Sequence, residues 1–340
     1  MNISHSQIRS TDTRNAGNAL IFGQVLDGHG GGRPIGWDEA LGWTADDKGS
    51  TLWLHFDRTV PALAEWLSAH LDIPPATVDV LVSNETCPRA FCDGDHLVTI
   101  LRGINFNPGA EPTDMTAMQI WSDGQKVITL RRRHLQTPRD VLATLEQGTG
   151  PKNAGDLVTT LAERMVGKMN RSIVDMNSRI DRLEENVDDD DHHDDMLEAI
   201  GDIRRECLAL KRFMSPQHEA LQQIAEQAPS WFSKRNKHGI RESIDRLKRY
   251  QEDLDVSKES AIVLQDDIKN LAASQSNRTM YMLSVIAAIF LPLGFLTGLL
   301  GINVGGMPGV NDDDAFWITL AALGGVFLIQ LAIFRRLKWL

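Results

Sequence analysis

Two long stretches near the C-terminus carry no ionisable charge, and they constrain this chain more than any other feature. TMYMLSVIAAIFLPLGFLTGLL, from Thr279 to Leu300, contains no Asp, Glu, Lys, Arg or His, and neither does AFWITLAALGGVFLIQLAIF, from Ala315 to Phe334. A helix rises about 1.5 Å per residue, so roughly 20 residues cross a hydrocarbon core of about 30 Å. Both stretches reach that length. The competing reading is a pair of buried helices in a soluble core, and two uncharged runs so close together weigh against it. An overall content of 42% hydrophobic and 24% charged residues looks soluble only until the apolar residues are located.

The flanking charges orient the spans. The loop 301–314 has no Lys or Arg and ends in Asp312, Asp313 and Asp314. Arg335, Arg336 and Lys338 come after the second span, while Lys269 and Arg278 precede the first. Positive residues stay inside, so both termini are expected in the cytosol and the short loop outside. The opening MNISHSQIRSTDTRNAG lacks the apolar stretch of a signal peptide, which keeps the N-terminal bulk on the same side. Cys87, Cys92 and Cys207 then read as reduced thiols. A net charge of −11 argues against a nucleic-acid partner and suits a protein that gathers cations.

Ahead of the spans, residues 1–150 read as a cytosolic α/β domain with a mixed sheet, opening on a loose tail. Leu20–Leu26, Thr51–Phe56, Leu97–Ile104 and Lys126–Arg131 have strand character between Gly, Asp and Pro punctuation. Val60–Leu71 and Pro138–Glu146 read as helices, the second capped by Thr137 with Pro138 at its first position. Residues 151–278 read as wholly helical. Asp156–Val187 and Met196–Met214 flank the run DDDDHHDD, and Pro216 and Pro229 punctuate the next segment. From about Gly239 to Leu300 there is no internal Gly until Gly294 and no Pro but Pro292, which reads as one helix of roughly 60 residues, or about 90 Å. Residues 279–340 form the transmembrane part, with spans 279–300 and 315–334.

That long helix has two faces. Leu247, Leu254, Ala261 and Ile268 lie seven apart, each joined three residues later by Tyr250, Ser257, Leu264 and Leu271, an apolar seam for packing. About 200° round the helix lie Glu252, Glu259 and Asp266, a line continuing through Ala273 to Met280, Ala287 and Gly294. Its companion line is Val256, Val263, Asn270, Asn277, Ser284, Leu291 and Gly298. The three acids alone are what any solvated helix face shows, and small residues within a span also mark tight helix packing. A pore lining accounts for both at once: an acidic vestibule leading to a small, lightly polar passage. Two spans per chain cannot enclose a path with every backbone group satisfied, so a cyclic homo-oligomer in membrane lipid is expected.

Directly after the first span come Gly301-Ile302-Asn303 and then Val304-Gly305-Gly306-Met307-Pro308-Gly309. With Phe290-Leu291-Pro292 before them and the basic end Arg335-Arg336-Leu337-Lys338-Trp339-Leu340, they resemble the CorA metal ion transporter superfamily. Ile302, where the magnesium branch has Met, and the glycine-rich segment are more similar to the zinc transporter (ZntB) branch. The motif covers about residues 276–340, and the layout extends the likeness over the whole chain. The resemblance implies an α+β membrane protein: a funnel-shaped homopentamer with an N-terminal α/β domain, a long stalk helix and two C-terminal spans. It further implies an outer mouth of Gly301, Ile302 and Asn303, a bacterial inner-membrane location, and Zn2+ as cargo, with Mg2+, Co2+ or Ni2+ as the alternative and no cofactor. A ring of Asn303 oxygens can hold the water shell of a cation, though Asn303 alone also suits a helix C-cap. Zinc normally seeks Cys, His or carboxylate ligands. Neither span has one, so zinc rests on resemblance and would cross largely hydrated. Proton-coupled uptake meets the same limit, since no ionisable group lies in either span.

Two other clusters draw notice. CPRAFCDGDH places Cys87, Cys92 and His96 near two carboxylates, but the cysteine spacing is wrong for an ordinary zinc site, and a turn with incidental thiols is the plainer reading. The run with Asp188, His192 and His193 reads as the solvated tip of a helix hairpin, or else as an attractor for cations. No phosphate loop or catalytic signature stands out, so an enzyme is not expected. A membrane-anchored sensor or scaffold that conducts nothing is the alternative from another class.

Overall fold

The computed structural model describes residues 16–45, 49–71, 73–110, 113–187, 192–302 and 313–337. They fall into two compact units: residues up to Val187 with Asp194–Leu264, and His192 and His193 with the residues from Gln265 onward.

The first unit is built on seven strands: β1 (Leu20–Leu26), β2 (Gly32–Pro34), β3 (Thr51–Asp57), β4 (Arg89–Asp93), β5 (His96–Gly103), β6 (Thr116–Ser122) and β7 (Lys126–Arg131). They pair in the order β2-β1-β3-β7-β6-β5-β4. Only β3 and β7 run parallel, so the sheet is mixed, as expected. The strands β2, β4 and β6 go beyond the expected set. β2 is only Gly-Arg-Pro, and β6 carries Gln119 in its centre, fully buried but polar, which blurs its apolar pattern.

Alternation along β3 builds both layers. Leu52, Leu54 and Phe56 face Leu63, Trp66 and Leu67 of the helix Ala62–His70 and Val78 and Leu81 of the helix Pro75–Val82. Each such fully buried side chain contributes about 1.5–3 kcal/mol. Trp53 and His55 point to the other face, where the Trp53 Nε1–H donates to Thr129 Oγ1 at 2.9 Å and His55 Nδ1 lies 2.8 Å from the same oxygen. A long helix covers that second face, with Met165 packed against Gly103 of β5.

In chain order the helices are α1 (Trp37–Leu41), α2 (Ala62–His70), α3 (Pro75–Val82), α4 (Gln136–Glu146), α5 (Ala154–Glu185), α6 (His193–Glu226), α7 (Lys234–Leu300) and α8 (Ala315–Arg336). Three boundaries differ from expectation. Leu135, in extended conformation and without a side-chain cap, precedes α4. Thr137 is thus inside the first turn and buried, and Pro138 is tolerated there because early helical N–H groups have no partner to lose. Second, α6 does not stop near Pro216. Met214, Gln217, Ala220, Leu221 and Ile224 stay buried on both sides of it, and that packing outweighs the roughly 3 kcal/mol cost of an interior proline.

Third, α7 starts before Gly239. Ser233 Oγ accepts from the Asn236 N–H at 3.1 Å while Asn236 Oδ1 accepts from the Ser233 N–H at 2.9 Å, a reciprocal cap. Gly239 serves close packing instead, since a Cβ there would sit 2.7 Å from Thr159 Cγ2 on α5. Along α7 the expected seam is buried at Leu247, Tyr250, Leu254, Ser257, Ala261, Leu264 and Ile268, whereas Leu271 is exposed.

His55 makes stability pH-dependent. Burial, reinforced by Arg131, lowers its pKa from 6.5 to about 3. The unfolded chain takes up this proton below about pH 6.5 but the folded chain does not, so the contribution is full above that pH and falls as pH drops toward 3. Thermal melting of the full chain in detergent should show a loss approaching about 1.4 kcal/mol per pH unit from this group, absent in His55→Gln. Parallel pH profiles for the two proteins would contradict it.

Candidate functional site

The second face of α7 carries the candidate ion path. Glu252, Glu259 and Asp266 are exposed, and between them Val256 and Val263 are 67% and 55% exposed. Asn277, Met280, Ser284, Ala287, Leu291, Gly294 and Gly298 are exposed as well. The positions of this span that gain cover lie on roughly the opposite side: Val285 is buried, and Ile289, Leu293 and Leu296 are partly covered. Among the described residues, the acidic-to-small face is therefore left exposed from Glu252 to Gly298.

Local geometry sharpens this. Ser284 Oγ donates to Met280 O at 2.8 Å, so the hydroxyl is satisfied on its own helix. A Cβ at Gly294 or Gly298 would meet nothing within 4 Å. A helical glycine costs about 1 kcal/mol relative to alanine, and no contact among the described residues requires either one. Gly301 closes the helix differently: its N–H donates to Thr297 O at 2.9 Å and Gly298 O at 3.2 Å, and a Cβ would lie only 3.2 Å from Thr297 O. Ile302 comes next, about half exposed. Asn303 and Asp312 lie outside the described residues, as does Asp188; Asp313 and Asp314 are exposed just ahead of α8. The apolar stretches of α7 and α8 are long enough to cross a membrane, and only Val285 and Phe334 in them are buried among the described residues. They are not the core helices of a soluble fold.

The cysteine cluster does not assemble. β4 and β5 form a hairpin in which Asp93 pairs with His96 and Cys92 with Leu97, across a turn at Gly94 with φ +61°. Alternation puts Cys92 on the face opposite His96, and Cys87 precedes the strand, so the three do not converge. Cys92 Sγ donates instead to Gln227 O at 2.9 Å, and burial, with Asp95 nearby, pushes its thiol pKa up. Asp95 accepts from Ser230 N–H at 2.6 Å and Trp231 Nε1–H donates to Asp95 O at 2.8 Å, so this acid clasps the hairpin to the α6–α7 connection. His193 opens α6 and is buried, while His192 beside it is exposed. Among the described residues, no group of three or more His, Cys, Asp or Glu is placed to hold a metal ion.

Comparison with known proteins assigns the chain to a family. The family described as CorA-like Mg2+ transporter protein matches residues 48–336. The divalent cation transporter CmaX of Pseudomonas aeruginosa is 38% identical over 322 residues, covering 94% of this chain and 97% of that protein. The zinc transport protein ZntB of Pectobacterium atrosepticum is 32% identical over 334 residues, covering 95% and 97%. The solved structure of full-length CmaX superposes with a TM-score of 0.81 at 37% identity, over 94% of this chain and 98% of that one. With both the model match and these relatives spanning nearly its whole length, the chain belongs to the CorA-like Mg2+ transporter family.

Proposed function

We propose that this protein carries a divalent cation, zinc foremost, across a bacterial inner membrane as a homopentamer whose shared axis faces the acidic-to-small side of α7. The observation that carries the reading is the open space at Gly294 and Gly298, on a face that no described residue of the same chain covers. Two spans cannot enclose a path alone, and a ring of copies gives those glycines a reason to be small. In this reading residues 1–150 form the cytosolic α/β domain, 151–278 the helical stalk region and 279–340 the transmembrane part, with both termini cytosolic.

The vestibule acids Glu252, Glu259 and Asp266 attract the ion. Asn277 offers a weak polar contact along the passage, Ser284 lines it with its hydroxyl turned to its own helix, and Gly301, Ile302 and Asn303 make the outer mouth. Neither span supplies Cys, His or carboxylate, so the ion passes with most of its water shell. Likeness to the ZntB proteins supports zinc. The family description supports magnesium as the second reading. Uptake coupled to protons would have to use groups at the two mouths, such as Asp313, Asp314 or the stalk acids.

Proteoliposomes loaded with an ion-sensitive dye test this, with and without a pH gradient. Zinc uptake is expected, reduced about tenfold or more by Gly294→Leu or by Asn303→Ala with the oligomer intact. Transport of magnesium but not zinc would transfer the assignment to the second reading. Equal flux with protein-free vesicles would leave a membrane-anchored scaffold.

A further inference from the structure

An anionic protein that handles cations has little evident use for a pocket of arginines, yet the first unit has one. A cavity of about 420 Å³ lies among the end of β3, the segment after α3, the adjoining ends of β5 and β6, and Phe213 of α6. Arg58, Arg102, Arg132 and Arg133 line it, with Asp114 the one carboxylate among the described lining residues. The chain as a whole carries a net charge of −11, so this concentration of guanidinium groups runs against its overall balance.

The arginines are held in place rather than neutralised. Arg58 is buried, and its Nη1 donates to Val82 O at 2.9 Å, Ser83 O at 2.7 Å and Asn84 Oδ1 at 3.4 Å. Arg132 Nη1 donates to the same Asn84 oxygen at 3.3 Å, so two guanidiniums share one neutral acceptor. Arg102 Nε donates to Thr86 O at 2.8 Å, and its guanidinium lies 4.1 Å from the centre of the Phe213 ring. Arg133 has Asp114 at 3.7 Å, but both side chains are more than half exposed and the pair is weak. Two buried atoms of lining residues, Arg58 Nε and Thr116 Oγ1, have no hydrogen-bond partner among the described residues. Burial, and then the neighbouring Arg132, push the Arg58 pKa down, with Asp57 opposing the shift.

We propose that this pocket binds a phosphate-bearing small molecule of about nucleotide size. Planar guanidinium forks match the oxygens of a phosphate monoester and form charge-assisted hydrogen bonds to it. The cavity is far larger than a bare phosphate needs and lies within the range of small-molecule sites, roughly 300–1,000 Å³. Thr86, Thr113 and Asn84 supply hydrogen-bonding groups for the remainder of such a molecule. Because the pocket joins the sheet to α6 through Arg102 and Phe213, its occupant would brace those two elements against each other.

Isothermal titration of the full chain in phospholipid-free detergent tests this, using AMP, inorganic phosphate and, as a control, chloride. AMP should bind saturably, phosphate more weakly and chloride not measurably, with affinity falling as salt rises. Arg132→Gln/Arg133→Gln alters two exposed side chains and should weaken AMP about tenfold or more while leaving the melting temperature unchanged. Saturable binding of inorganic phosphate but not AMP would overturn the size assignment. No saturable binding of either, or an affinity unchanged in the double variant, would overturn the site.

Discussion

Along most of its 67 residues, α7 is asked to satisfy two different surroundings at once. Leu247, Leu254, Ala261 and Ile268 are buried on one side, while Glu252, Glu259 and Asp266 remain exposed on another. A helix advances about 100° per residue, so a seven-residue step drifts by only about 20°, and each line keeps its own side across the few heptads from Leu247 to Ile268. Leu247, Leu254 and Ala261 of the buried line pack the helix within the first unit. The exposed line then continues into an apolar span, where a polar or empty face gains nothing from lipid. In the proposed reading, that division is what calls for further copies of the chain.

Close packing around this helix explains features that would otherwise look arbitrary. Gly239 lets α7 approach α5 near Thr159 and Glu163. Burial raises the Glu163 pKa, with Glu242 adding like-charge repulsion, so the approach of the two helices also crowds two carboxylates. Asn236, buried at the start of α7, both caps that helix and donates to Asp156 Oδ1 at 2.7 Å at the start of α5. One side chain thereby ties together the N-termini of the two helices.

Much of this is legible in the residues, and the failures have physical causes. β1, β3, β5 and β7 can be read because their apolar residues run nearly unbroken. β6 cannot, since buried Thr116 and Gln119 interrupt the pattern while tertiary packing still holds them in the sheet. Local preference makes boundaries of Pro216 and Gly239, and packing overrides both. The face of α7 is visible because heptad spacing is a one-dimensional signal. The arginine pocket is not: the run Arg131-Arg132-Arg133 hints at it, but Arg58 and Arg102 join only through the strand order.

The central claim is that the Ser284 side of the first span faces the ion and the Ile289 side does not. Single cysteines at 284, 287, 291 and 298, and at 282, 289 and 293 as controls, in a chain lacking Cys87, Cys92 and Cys207, would be treated with a small charged thiol reagent during zinc flux. The account predicts that reaction at the first four blocks flux and that reaction at the controls leaves it intact. Block at 289 and 293 with none at 284 and 291 would contradict it.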